Sequence, residues 1–133
     1  MRDYTTLAEL DRDGFNVVVD KTWEDLPLDH LFDTSLDPDT GKPYYDIHEM
    51  YRQIEMGELD YFMLRVRVFV QDLELATDYV GGFVYEDASE VLRDGTAEDM
   101  ISTALDTAKA RVIELADTFA GMAFAIEVDR TAA

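Results

Sequence analysis

The residues of this chain best suited to chemistry are carboxylates, and they recur at a regular interval. Asp25, Asp29, Asp33 and Asp37 stand four residues apart, as do Glu86, Glu90, Asp94 and Glu98, with Asp39 and Asp87 beside them. On a helix, residues four apart are neighbours about 5–6 Å from each other, and like charges there cost a few tenths of a kcal/mol per pair. A sequence shaped only for stability would alternate signs, as the chain does further on, where Asp106 lies three before Lys109 and Arg111 three before Glu114. Carboxylates in a row a few ångströms apart instead approximate the charge spacing of a nucleic-acid backbone. The local balance agrees: Asp72 to Asp99 holds nine acids and one base, and Asp20 to Asp39 seven acids and one base.

Catalytic chemistry finds less support. With so many acids, two of them lying close says nothing about general acid and base work without a pocket. His30 and His48 flank the first acidic run and would need Asp33 or Asp46 to complete a metal site, whereas a catalytic zinc usually draws on three ligands in a recognisable motif. The only serines, Ser35, Ser89 and Ser102, lack the glycine-flanked context of a nucleophile elbow. Asp37-Pro38-Asp39-Thr40-Gly41 resembles a calcium loop only faintly: its Gly comes one place early, and His48 stands where a bidentate Glu belongs. A plain turn is expected there. No catalytic residue, metal site or cofactor is assigned.

The whole chain repeats the local charge pattern. Thirty acidic and eleven basic side chains give a formal net charge of −19 on 133 residues. An excess of this size repels itself in the compact state and commonly serves solubility or a partner. The chain is nonetheless 47% hydrophobic, with seven Phe, seven Tyr and one Trp, which excludes an acidic disordered tail. The absence of cysteine removes disulfides and thiolate zinc sites. No run of about eighteen apolar residues and no basic-then-apolar leader is present, so a single-domain cytoplasmic protein with no membrane contact is expected.

The elements that must position these acids follow from periodicity. Thr6 with Glu9 suits a brief capped helix, and Phe15 to Asp20 reads as a first strand after the Asp13-Gly14 turn. Residues 21–45 form an acidic insertion, with a short helix from Asp25-Leu26-Pro27 to Phe32 and turn chemistry at residues 37–43. Asp46 with Glu49 opens a helix that Gly57 closes. Tyr61 to Gln71 alternates strictly, and a turn near Asp72 leads into a strand from Leu73 to Tyr85, bent at Gly81-Gly82. Thr96 with Asp99 begins the clearest helix, which Gly121 is expected to end before a last strand over Met122, Phe124, Ile126 and Val128. The predicted class is α+β: a four-stranded antiparallel sheet and two main helices in β-α-β-β-α-β order, ferredoxin-like as the best match, plus the insertion. The strip Tyr61, Arg65, Arg67 and Phe69 with Gly82-Phe83-Val84-Tyr85 resembles the base-stacking face of RNA-recognition motifs, but those work in a basic field. Direct nucleic-acid binding is therefore not expected, and the strip is assigned to packing against the insertion, another subunit or a protein partner.

Small size, acidity, absent cysteine and laddered carboxylates together resemble the acidic DNA-mimic inhibitors of phages and plasmids, the anti-restriction and anti-CRISPR proteins. These share no fold or motif, so the resemblance transfers no residue. It implies a non-enzymatic binder that blocks a basic nucleic-acid-binding protein or complex, a nuclease or CRISPR effector. Asp25, Asp29, Asp33, Asp37, Asp39, Glu86, Asp87, Glu90, Asp94 and Glu98 would meet the partner's Lys and Arg, with aromatics such as Trp23, Tyr44, Tyr45 or Tyr85 as anchors. Neutralising Glu90, Asp94 and Glu98 is then expected to weaken binding without loss of stability. The competing expectations are a small acidic chaperone or adaptor, a possible homodimer that binds through apolar surface, and a salt-adapted housekeeping domain, the latter suggested by three Lys and a 19-to-11 excess of Asp over Glu.

Overall fold

A computed structural model describes residues 3–132. Strands β1 (Thr5–Arg12), β2 (Phe15–Trp23), β3 (Asp60–Val70) and β4 (Leu73–Tyr85) form one antiparallel sheet in the order β1-β2-β3-β4. Helix α1 (Ile47–Glu55) lies between β2 and β3, and α2 (Thr96–Ala132) follows β4. The α+β class with a four-stranded antiparallel sheet and two helices is thus present. A ferredoxin-like arrangement is not confirmed, because sequence neighbours are sheet neighbours throughout.

The differences lie at the two ends of the chain. Residues expected to start a brief helix at Thr6 form β1, because Asp13 and Gly14 both adopt positive φ (56° and 86°) and close a tight hairpin that pairs Arg12 with Phe15 and Leu10 with Val17. At the other end Gly121 does not stop α2, and residues 122–129, expected as a strand, remain helical. The first half of the period-two pattern there, residues 122–126, alternates large with small apolar residues, and only Glu127 and Asp129 set polar against apolar. Ala123 and Ala125 are strong helix formers, and the segment extends a helix already nucleated.

Alternation along β2 and β3 sets the two faces of the sheet. Val17, Val19, Phe62, Leu64, Val66 and Val68 are fully buried on one face, against Ala97, Met100, Ile101, Ala104, Leu105 and Ala108 of α2. The three- and four-residue spacing of those α2 residues is what lays the first third of the helix on the sheet. On the opposite face Asp20 is buried opposite Arg65 in the β2–β3 register. Its carboxylate accepts two hydrogen bonds from Arg65 (2.8 and 2.6 Å) and one from Arg67 (3.1 Å). The Arg65 guanidinium also stacks 3.5 Å from the centre of the Tyr4 ring.

The insertion is tied down by a few strong contacts. A Glu24 carboxylate oxygen accepts the Gly82 N–H (3.0 Å) at the β4 bulge, where Phe62 pairs with Phe83 but Leu64 with Val80. Gly82 sits at φ 82°, a backbone conformation that favours glycine, and a side chain at Gly81 would push against the Glu24 carboxylate and disturb this contact. Leu28 is fully buried and its N–H donates to the Tyr51 hydroxyl (2.9 Å), while the Tyr61 hydroxyl donates to the Leu26 carbonyl (2.5 Å). Burial, with the negative field of Glu24, pushes the Tyr61 phenol up to about 12. Only Leu28–His30 is helical, as one 3-10 turn, shorter than the helix expected to reach Phe32. Asp46 caps α1 as expected, accepting the Glu49 N–H (3.1 Å).

Candidate partner-binding surface

The meander brings the two acidic segments to one end of the sheet. The insertion leaves from the end of β2 at Trp23 and the second segment from the end of β4 at Tyr85. Both strand ends lie beside the start of β3, since Trp23 pairs with Phe62 and Tyr85 with Asp60. The insertion runs over the face that carries Tyr61, and residues 86–98 run over the α2 face. A cleft of about 680 Å³ opens at this end, lined among others by Lys21, Trp23, Ile54, Asp60, Glu86 and Asp87. Lys21 forms an ion pair with Asp60 in it. Trp23, half exposed, stands at its edge.

Neither carboxylate series is a helical stripe. The first contains a single 3-10 turn, so Asp25, Asp29, Asp33 and Asp37 are not stacked neighbours. Asp33 accepts the Ser35 N–H (2.8 Å) and Asp37 the Asp39 N–H (2.9 Å), each closing a tight turn. Hydrogen bonds from Ser35 hold the Asp33 carboxyl below its ordinary range. Residues 36–43 fold into a small hairpin with a Leu36–Pro43 bridge and Gly41 at φ 71°. The expected turn is found there. Asp25, Asp29 and Asp39 are exposed.

In the second series, most carboxylates serve the fold itself. Asp87 caps the 3-10 helix Ala88–Leu92, accepting the Ser89 N–H (2.9 Å) and hydroxyl (2.8 Å), and these bonds lower its pKa. Glu90 pairs with Arg93 at 2.7 Å. Asp94 accepts the Tyr85 hydroxyl (2.5 Å) and the Thr96 N–H (2.9 Å) at the start of α2. The Tyr85 hydroxyl first, then the Thr96 N–H, pull its carboxyl down. Glu98 takes both terminal nitrogens of Arg12 on β1 (2.5 and 3.1 Å). Glu86 is exposed on the cleft without such a partner. The expectation that Glu90, Asp94 and Glu98 can be neutralised without loss of stability does not fit these contacts, since two of the three join α2 to β4 and β1.

The fate of the cations decides the sign of the surface. Every Lys and Arg among the described residues except Lys42 is in an ion pair with a carboxylate of the same chain. Among the described residues no cationic patch remains to offset the acids. Lys21 and Asp60, which line the cleft, carry no local signal in the sequence, because their contact crosses from β2 to β3 and spacing along the chain does not show it. His30 and His48 are exposed, and among the described residues no cluster of three or more His, Asp or Glu side chains is arranged to hold a metal ion. Among the same residues no helix is long and apolar enough to cross a membrane. No protein-family model, curated protein or solved structure matches the chain.

Proposed function

We propose that this chain is a non-enzymatic inhibitor that presents its acidic end to the basic groove of a nucleic-acid-binding protein, a nuclease or CRISPR effector complex in the host cytoplasm. The observation that carries this reading is the convergence of both acidic segments on one sheet end, in a molecule whose described cations, Lys42 apart, are already neutralised internally. A groove of Lys and Arg built for phosphates would meet exposed carboxylates there, Asp25, Asp29, Asp39 and Glu86 foremost, with Asp33, Asp37, Asp87, Glu90 and Asp94 held in fixed positions behind or beside them, whereas Glu98 is drawn toward Arg12 at the hairpin end of β1. Fixed turns limit the entropy lost when those charges dock. Trp23 at the cleft edge and Tyr44 and Tyr45 on the insertion supply exposed aromatic surface of the kind that anchors interfaces.

Capture from the lysate of a candidate host tests this, with the immobilised full chain washed through a salt series and then with duplex DNA. A nucleic-acid-processing complex that elutes as salt rises and is displaced by DNA is the expected result. A second reading, the adaptor or chaperone, is favoured by one specific observation, the bare apolar surface on the far half of α2. A partner with no nucleic-acid role that stays bound in molar salt would select it over the inhibitor.

A further inference from the structure

Helix α2 is 37 residues long, about 55 Å at 1.5 Å per residue, and the sheet covers only its beginning. Ala108 is the last fully buried residue, and from 111 to 131 every residue is exposed except Leu115, which is half-buried. The exposed residues are not polar. Val112, Ile113, Phe119, Met122, Phe124, Ile126 and Val128 are each 40–72% exposed and together present on the order of 700 Å². A standard interface buries roughly 800 Å² per partner. Monomers seldom leave so much contiguous apolar surface in water, and a helix that is apolar nearly all round is normally buried.

We propose that residues 111–131 pair with the same residues of a second copy of this chain, antiparallel and centred near Ala120. Spacing comes first. Val112, Ala116, Phe119, Ala123 and Ile126 follow at intervals of four, three, four and three, the seam of a left-handed helix pair. Charge comes second. Thr118 to Ile126 contains no charged residue, and the whole of 111–131 holds only two bases and four acids, so two chains of net charge −19 meet where they repel least. Orientation is set by Arg111 and Asp129, eighteen residues or five turns apart and hence on one flank of the seam. In an antiparallel pair centred at Ala120 each Arg111 faces the other copy's Asp129, twice by symmetry. A parallel pair would put the two copies of each residue on opposite flanks of the seam and lose this pairing. Arg111 reaches its own Glu114 at 3.3 Å, an exposed contact that leaves it able to shift.

The base of the projecting segment supplies a fourth feature. Val70, Leu73 and Leu75 of the β3–β4 hairpin form, with Val112, Leu115 and Phe119, a wholly apolar groove of about 290 Å³. In the antiparallel register Ile126 of the second copy lies level with residue 114 and fills this groove. Each copy then covers the other's hairpin as well as its helix.

Sedimentation of the full chain across the micromolar range tests the proposal. Wild type is expected at twice the chain mass. Phe119→Glu with Ile126→Glu is expected to raise the dimer dissociation constant at least about 100-fold, with the helical circular dichroism of the body retained. Charge exchange guards against a trivial loss of fold: Arg111→Glu or Asp129→Arg alone should weaken the dimer, and the two together should restore it. Restoration supports the antiparallel pair. A wild-type chain that stays monomeric, or charge-exchange variants whose defects simply add, overturns it. The inhibitor reading does not depend on this result, because the monomeric variant keeps the whole acidic end.

Discussion

The acidic end of the sheet and the projecting half of α2 differ in how completely the chain satisfies its own side chains. At the acidic end, charge is abundant but settled: carboxylates cap turns, hold Arg93 and accept Tyr85, and Asp29, Asp39 and Glu86 face water, which solvates them well. On the projecting helix the side chains are uncharged for nine residues and nothing covers them. Water tolerates the first surface and disfavours the second. The acidic end is therefore stable in water as it stands, whereas the apolar helix carries a free-energy cost for as long as it stays uncovered.

Substitutions that separate the two surfaces differ widely in expected effect. The largest is Phe62→Ala, which empties the space beneath Phe83 and Tyr85, whose ring centres lie 5.6 and 5.7 Å from that of Phe62. A loss of about 3–5 kcal/mol is expected in urea unfolding, and with it the frame that aligns both acidic segments. Asp20→Ala should cost about 3 kcal/mol by the same measurement, because it strands Arg65 and Arg67 on the outer face of the sheet. If either change left stability intact, the acidic end would not depend on the sheet in the way described.

Charge neutralisation should act on binding rather than folding, but only at the right positions. Asp29→Asn, Asp39→Asn and Glu86→Gln together should alter stability by no more than about 0.5 kcal/mol while weakening capture of a basic partner about 10-fold or more. Asp94→Asn and Glu98→Gln should instead lower the melting temperature, since they remove the contacts of α2 with Tyr85 and Arg12. The acid limb of the stability profile follows the same distinction. Asp94 has a lowered folded pKa, so its contribution is complete above the ordinary carboxyl range and fades as pH falls through that folded value. Asp94→Asn should flatten that limb.

The smallest effect is spectroscopic. Tyr61, raised to about 12, favours the folded state while its phenol is neutral. That contribution is complete below the unfolded tyrosine pKa of about 10 and is lost as pH climbs through 12. Tyr85, hydrogen-bonded to Asp94, is also raised, so alkaline difference spectra should show late-titrating tyrosine whose amplitude falls by one residue in Tyr61→Phe.

What the sequence showed depended on how local the signal was. The strict alternation of β3, the turn after Val70, the bend at Gly81-Gly82 and the Asp46 cap were all legible, because each is decided within a few residues. Asp13-Gly14 was seen as a turn, yet its hairpin partner was missed: Thr5 to Arg12 carries charges on both sides of its alternation and β1 gains its identity from β2. The strand expected at 122–129 fails for the opposite reason, since the large and small apolar residues of 122–126 fit either period, two acids after them do not decide it, and only the continuing helix does. The four-residue carboxylate spacing is real in sequence but crosses turns, which Gly95 and the Pro38 to Gly41 region already mark in the sequence. That the two acidic segments meet at one end is a property of the meander, and no local pattern encodes it.

The most direct test of an acidic end that binds independently of the apolar helix is capture by the Asp29→Asn, Asp39→Asn, Glu86→Gln variant, measured beside its sedimentation coefficient and melting temperature. Salt-sensitive capture of the basic partner is expected to weaken about 10-fold or more while mass and melting stay those of wild type. Capture that persists at wild-type strength would contradict it, and would move the binding function to the helix.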